Sequence, residues 1–250
     1  MAENLAIRSD LEALDPALLK QIEADAGLGV SDREEDRIQA WVKVLHQLSP
    51  ELNSRDPSYV IDAKPGDIWI KAQNLLIPGE VGIMFQQCGY QLRWVEWPGA
   101  PGSGGQPVAR HAEKPQGYTF GMFETADGHQ IVETRYHMGI VYHDGYDPFP
   151  ATISMSSTGA AVSLTWTNMQ RHKKLASGSM APAYLYLYRL RTVERANEKG
   201  RWYLLDPKEA GIASAVQIAA AQQVARDIAE ARLQMGEGEG EGDPGRAIPF

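Results

Sequence analysis

The sequence has a single cysteine, Cys88, among its 250 residues. One thiol can neither close an internal disulfide nor build a zinc site alone, so the composition fits a reducing compartment. No run of about 18 apolar residues occurs, which excludes a membrane-spanning helix and predicts no membrane partner. The N-terminal residues lack the basic start and apolar stretch of a signal peptide. We therefore expect a cytoplasmic protein.

Catalytic signatures are also missing. The sequence contains no G-x-S-x-G, H-E-x-x-H or phosphate-loop pattern, and a buried cysteine is commoner than a cysteine nucleophile. His137 and His143 would face the same way on one strand, and with Glu133 they are weak candidates for metal ligands. Solvated polar residues at a strand end and turn are the commoner explanation. The sequence therefore predicts neither an enzyme nor a cofactor, and no metal.

Charge is unevenly distributed along the chain. The net charge is −8, yet residues 1–40 hold ten acids against four bases, and residues 236–250 hold four acids against one base. Residues 164–205 instead hold eight bases against two acids. Uniform negative charge would argue against a nucleic-acid partner. Because this chain is acidic only at its ends, the basic stretch leaves such a partner open.

Hydrophobic spacing predicts a helical segment over residues 1–50 that ends at Pro50. This segment contains two predicted helices. The apolar stripe of the second helix consists of Ile38, Trp41, Val42, Leu45 and Leu48. At the other end, Asp206-Pro207 is typical of a helix start, and the Ala-rich sequence after it predicts a helix over 206–235. The narrow apolar stripe on that helix leaves open packing on its own core or on a second copy of the chain, and hence a homo-oligomer.

Residues 51–205 alternate between strand and turn signals. Period-two alternation, clearest over 90–97, and several Asp-Gly turns predict an antiparallel sheet. A helix after Ser157 precedes a last strand pair, which is joined by the Asn-Glu-Lys-Gly turn at 197–200. Five or more strands with a helix before the last pair predict an α+β fold, in the form of an elaborated OB-like antiparallel barrel.

Aromatic and basic residues interleave on these predicted strands. A nucleic-acid single strand is bound by a basic groove with aromatic faces on which bases stack. Each aromatic residue alone is more often part of a core, and a basic stretch alone is more often a solvated face. Their interleaving favours a surface that binds single-stranded nucleic acid. The candidate residues are Trp69, Tyr90, Arg93, Trp94, Trp97, Arg171, Lys173, Lys174, Arg189 and Arg191.

The chain ends in a Gly-Glu stretch, which cannot bury surface and is expected to be a disordered acidic tail over 236–250, closed by Ile248, Pro249 and Phe250. This ending resembles the C-terminal tip of bacterial and phage single-stranded DNA-binding proteins. The resemblance implies an OB-fold core that holds single-stranded DNA without sequence preference. It also implies a tip that docks on replication, recombination and repair enzymes. Arg246 departs from the family pattern, because acids usually stand next to the tip.

The middle of the chain carries a second resemblance. The stretches KPGDIWI, GIMFQQCGYQLRWVEW and YRLRTVERANEKGRWY are similar to tailed-phage proteins of unassigned or DNA-binding role, over residues 45–205. This implies a phage protein that works in the host cytoplasm. A different class stays open, a phage structural or assembly adaptor with a disordered tail. In that case the aromatic residues belong to the core and the tip has no function.

Overall fold

The structure, a computed structural model, describes residues 40–99, 106–119, 122–198 and 200–229, together with residues 15, 16 and 20. These residues form an α+β fold built on one curled, mostly antiparallel sheet. In chain order its elements are β1 (Trp41–Val44), β2 (Ile68–Ile70), β3 (Leu75–Ile77), β4 (Ile83–Trp97), β5 (Ala109–His111), β6 (Met122–Glu124), β7 (Gln130–Tyr142), β8 (Phe149–Ser156), α1 (Gly159–Arg171), β9 (Tyr186–Asn197), β10 (Gly200–Ile212) and α2 (Ala215–Ala229). Neither α1 nor α2 is long and apolar enough to cross a membrane.

The sheet is arranged around its longest strand, β4. The main order is β10-β9-β4-β7-β8-β1-β2-β3, while β5 and β6 pair with β4 and β7. Among the described strand pairs only β1 and β8 run parallel. The predicted last strand pair is confirmed, because β9 and β10 join across the turn with Asn197 opposite Gly200.

A β-bulge in the middle of β4 decides which of its side chains face the core. The register against β7 shifts between Gln87 and Gly89, so Cys88 is an extra residue on β4. Because side chains alternate along a strand, one extra residue exchanges the two faces beyond it. Trp94 therefore lies on the same face of the sheet as Phe85, which counting residues along the strand would not indicate.

Helix α1 covers this face of the sheet through Trp166. The indole is 1% exposed, and it stacks on the imidazole of His137 with ring centroids 4.4 Å apart. It also meets the rings of Phe85 and Tyr188 edge-on at 5.9 and 5.4 Å. The helix predicted after Ser157 is confirmed, and its apolar residues pack on the main core.

The sheet curls until segments near its two ends meet. Thr192 on β9 donates from its backbone N–H to the carbonyl of Gly79 at 3.0 Å, and from Oγ1 to the carbonyl of Gly66 at 2.6 Å. A Cβ on Gly79 would lie only 2.0 Å from Thr192 Oγ1, so this approach requires glycine. These contacts join the segments that flank β2 and β3 to β9. The result is a half-barrel around an apolar core.

The N-terminal segment departs from the helical prediction. Trp41–Val44 form β1, in which Trp41 lies beside Thr152 of β8. Val and Trp favour a strand, and pairing with β8 outweighs the helical spacing of the apolar stripe. The helix predicted up to Pro50 is therefore wrong over 41–44. Residues 45–49 are also described and are not helical. The part of the segment up to residue 39 lies almost entirely outside the described residues.

The C-terminal helix begins later than the Asp-Pro pair indicated. Pro207 lies in β10 opposite Leu190, on an edge strand that tolerates the missing N–H. Helix α2 starts only after Ser214, whose Oγ accepts from the N–H of Gln217 at 3.3 Å, while its own N–H donates to Gln217 Oε1 at 2.9 Å. This reciprocal pair is a capping box. The predicted extension from 230 to 235 lies outside the described residues.

Candidate nucleic-acid interface

The hairpin of β9 and β10 presents two different sides. Directly opposite residues of an antiparallel pair share a side, and the sides alternate along each strand. Tyr188, Leu190 and Leu205 are buried and face the core. We call the opposite side the outer side. Its positions are Leu187, Arg189, Arg191, Val193, Arg195, Trp202, Leu204, Asp206 and Lys208.

Three arginines of β9 stand along the outer side, and we call Arg189, Arg191 and Arg195 the arginine row. Residues two apart on a strand are separated by about 6.6 Å, a spacing comparable to that of neighbouring phosphates in an extended single strand. Within the described part of the chain, none of these guanidinium groups lies at ion-pair distance from a carboxylate. The row is therefore a line of three positive charges that form no ion pair among the described residues.

Apolar and aromatic side chains lie among these arginines. Val193 faces Leu204 across the hairpin, in the rung between Arg191 and Arg195. In the next rung Trp202 lies opposite Arg195 and is half-buried. The outer side thus offers cations for phosphates and apolar surface for bases within a few rungs.

The inner side of the same hairpin carries charges that are paired. Arg201 Nη1 lies 3.1 Å from Glu194 Oε1, and the hydroxyl of Tyr203 donates to the second oxygen of that carboxylate at 3.3 Å. Strand alternation therefore places the paired Arg201 on the inner side and the arginine row on the outer side.

Two of the predicted stacking residues are buried. Trp69 on β2 is 8% exposed and Trp94 on β4 is 9% exposed. Trp94 packs with Tyr118 and Ile131 in a second, smaller core that fixes the excursion between β4 and β7 to the sheet. Neither indole offers an open face to a base in this structure, so a stacking surface cannot be built on them.

Tyr90, Arg93 and Trp97 lie on the far part of β4. Tyr90 is partly exposed, with its ring edge-on to His137 at 5.2 Å, and Arg93 Nη1 donates to the carbonyl of Leu92 at 3.0 Å. Arg189 lies opposite Met84 at the start of β4. Nine strand residues, or about 30 Å, separate Met84 from Arg93. The structure therefore does not bring these residues together with the arginine row.

Arg171, Lys173 and Lys174 lie at the end of α1 and just beyond it. The ammonium of Lys173 pairs with the carboxylate of Glu209 and lies 4.9 Å from the ring centre of Tyr186, a residue of the inner side. Arg171 and Lys174 are exposed. This cluster is thus near the start of β9 but on the opposite side of the sheet from the arginine row.

His137 is a core residue. It is fully buried, and its Nδ1 and Nε2 lie 2.8 Å from Gln87 Oε1 and 2.7 Å from Ser163 Oγ. Burial lowers the pKa of His137 to about 3, with a further contribution from the charge of Arg135, so the ring stays neutral. Both nitrogens are engaged inside the protein, which removes His137 as a metal ligand.

His143, the second weak metal candidate, lies in the turn after β7, and burial lowers its pKa. Among the described residues no group of three His, Cys, Asp or Glu side chains is placed to hold a metal ion. Burial also raises the pKa of the Cys88 thiol to about 12, so the thiolate needed of a nucleophile is scarce at neutral pH.

Near the C-terminal end of β4, the carboxylate of Glu96 forms hydrogen bonds with two histidines. His111 Nε2 on β5 and His129 Nδ1 after the Asp-Gly turn each lie 2.8 Å from one oxygen of Glu96. The hydrogen bond from His129 and then that from His111 lower the pKa of Glu96. This cluster joins β5 and the start of β7 to β4.

We expect Glu96 to make the fold sensitive to acid. Because its folded pKa is depressed, its stabilising contribution is complete above the ordinary carboxyl pKa and is lost as pH falls through the folded value. Glu96→Gln should cost about 1–2 kcal/mol at neutral pH. The stabilities of the variant and the wild type should converge as pH falls through the depressed pKa of Glu96. Urea unfolding across this range measures both curves. A difference that stays constant with pH would contradict this role.

Arg195 and Trp202 are two members of the outer side that the sequence-based candidates omit. The turn at 197–200 is the sequence signal that could have shown their pairing. If Asn197 is opposite Gly200, then the residues two positions further from the turn on each strand, Arg195 and Trp202, are also opposite each other. The predicted partner-binding tip of Ile248, Pro249 and Phe250 lies outside the described residues.

Comparison with known proteins gives one family. Residues 9–234 match the family model described as Pam3 phage gp34-like protein, a range that includes every described strand and helix and stops before the acidic tail. The match gives the chain a bacteriophage context. No curated protein and no solved structure matched it.

Proposed function

The chain belongs to the Pam3 phage gp34-like protein family, and we propose that it binds single-stranded DNA without sequence preference through the outer side of the β9–β10 hairpin. The observation that carries this proposal is the arginine row, whose three guanidinium groups have no carboxylate partner within the described residues. Guanidinium groups bind phosphate oxygens well, often through two parallel hydrogen bonds.

The neighbours of the arginine row support a single strand rather than a duplex. Trp202 and the Val193–Leu204 rung offer apolar surface between and beside the arginines. Bases stack on such surface only where they are unpaired, and stacking tolerates any base. The outer side is formed by strands and not by a helix, and a helix in the major groove is the common means of duplex readout. Phosphate contacts with stacking give affinity that does not depend on sequence.

The strand order also supports the proposal. β4, β7 and β8 follow one another, α1 comes next, and β9 returns to pair with β4 before β10. We take this as an OB-like barrel, elaborated by β1, β2 and β3. In such barrels the connection between the fourth and fifth strands takes part in binding oligonucleotides. Here that connection is the hairpin that carries Arg195 and Trp202.

A role follows from this binding in a phage that replicates its DNA in the host cytoplasm. The protein would coat exposed single strands during replication, recombination and repair. We further propose that Ile248, Pro249 and Phe250 recruit the enzymes of these processes. An apolar tip with a terminal carboxylate, carried on an acidic spacer, suits a basic-rimmed pocket. No cofactor or membrane partner enters this proposal.

Binding of a fluorescent, unstructured oligonucleotide measured across salt concentrations tests the proposal. We expect the logarithm of the association constant to fall with the logarithm of salt with a slope of about −2 to −3, since three or four cations each contribute about 0.7. Oligonucleotides of different base composition should bind alike. Absence of binding at low salt would overturn the proposal. Sedimentation into large assemblies without DNA would instead favour a structural or assembly adaptor.

A further inference from the structure

Asp206 is the one acidic residue among the outer-side positions of β9 and β10 between Leu187 and Lys208. Its Oδ1 lies 3.2 Å from the Nζ of Lys208, two residues further along β10. Across the hairpin, Arg191 lies opposite Asp206 and Arg189 lies opposite Lys208. A carboxylate thus stands within the surface assigned above to phosphates, and it is already bound to one of the cations there.

We propose that Asp206 competes with the DNA backbone for Lys208. By binding Lys208, the carboxylate keeps the affinity for single-stranded DNA below what the outer side could otherwise provide. This inference rests on the proposed function. A carboxylate and a phosphate present similar oxygen acceptors to an ammonium group. A phosphate that reaches Lys208 must therefore displace Asp206, or bind beside it against like-charge repulsion.

The exposure of the pair makes this displacement feasible. The side chain of Lys208 is 71% exposed and that of Asp206 is 37% exposed. Exposed ion pairs of this kind are weak, because water and salt screen them. A DNA strand bound to the arginine row holds further phosphates close to Lys208. One of these phosphates can then displace the carboxylate of Asp206 from Lys208.

Arg191 shows why the competitor acts on Lys208 and not on the whole row. Directly opposite residues on one side of a sheet have Cβ atoms about 5 Å apart, yet the structure records no ion pair between Asp206 and Arg191. The carboxylate turns along its own strand to Lys208. The three arginines stay available to start binding, and Lys208 joins only once Asp206 has been displaced.

Asp206→Asn tests the competitor with the full chain and an unstructured DNA oligonucleotide. The change keeps the size of the side chain and removes its charge. We expect affinity at low salt to rise about three- to tenfold. The salt dependence should steepen by up to about 0.7, because Lys208 then contacts a phosphate in every complex and not only in those where Asp206 has been displaced. Adding Lys208→Gln to this variant should abolish the steeper slope.

Glu194→Gln is the matched control, since Glu194 is an acid of the same hairpin that is paired with Arg201 on the inner side. It should leave the slope unchanged. If Asp206 only balances charge in the folded protein, Asp206→Asn will lower the melting temperature and leave the slope at the wild-type value, which overturns the inference. A wild-type protein that fails to bind the oligonucleotide overturns the proposed function itself. Binding by the wild type that Asp206→Asn does not alter overturns the competitor alone.

Discussion

Trp166→Ala should destabilise the protein by about 3–5 kcal/mol, the usual cost of removing a large aromatic side chain from a core. Trp166 is 1% exposed and touches the rings of Phe85, His137 and Tyr188, so its loss opens a cavity between α1 and the sheet. His137 would also lose the ring that covers it, while its hydrogen bonds to Gln87 and Ser163 stay inside the core.

Chemical denaturation followed by far-ultraviolet circular dichroism measures this loss. Leu164→Ala is the matched control, because Leu164 lies on the same helix and is 44% exposed, so it should change stability by only about 0.5–1 kcal/mol. A Trp166→Ala protein within about 1 kcal/mol of the wild type would show that α1 does not depend on this contact. Should the variant fail to fold, Trp166→Phe provides the smaller, measurable step.

Replacing Arg189, Arg191 and Arg195 together by glutamine should lower the affinity for single-stranded DNA at low salt by a factor on the order of 100. The salt slope should become shallower by about 2, since each of the three lost phosphate contacts removes about 0.7. Glutamine keeps a polar, strand-compatible side chain, and the three guanidinium groups hold no ion pair among the described residues that the change would break.

Arg201→Gln is the control for the arginine row, because Arg201 has the same charge and hairpin but faces the inner side beside Glu194. Its effect on affinity should be small compared with that of the triple variant. A triple variant that keeps wild-type affinity, with an unchanged circular dichroism spectrum, would show that DNA binds elsewhere or not at all. An equal loss in Arg201→Gln would indicate a response to overall charge rather than to the row.

Local patterns predicted much of this fold. The alternation over 90–97, the helix after Ser157 and the strand pair across the 197–200 turn all appear as expected. Each depends on neighbours within one element or one hairpin, so spacing and turn chemistry are sufficient. Trp41–Val44 and Pro207 show the opposite case. Their strand conformation comes from pairing with distant residues, Thr152 and Leu190, that local spacing cannot reveal.

The candidate site was predictable in part. Arg189 and Arg191 were identified from the basic stretch, and the hairpin register places Arg195 with them on the outer side. Trp69 and Trp94, which the interleaved pattern predicts as stacking residues, are buried. For Trp94 the cause is the bulge at Cys88, which sets its face, and the packing of Tyr118, a residue of a separate excursion. Such contacts form between segments far apart in sequence, so no local pattern carries them.

The parallel pairing of β1 with β8 has a consequence for synthesis of the chain on the ribosome. β1 lies about a hundred residues before its partner strand, since Trp41 pairs with Thr152. The segment before β2 likewise lacks its hydrogen bond from Thr192 until β9 has been synthesised. At about 5–20 residues per second, these first strands emerge roughly 5–20 s before the partners that cover them. Their apolar residues are exposed to the host cell during that interval. We therefore expect the yield of folded protein to depend on translation speed between β3 and β9.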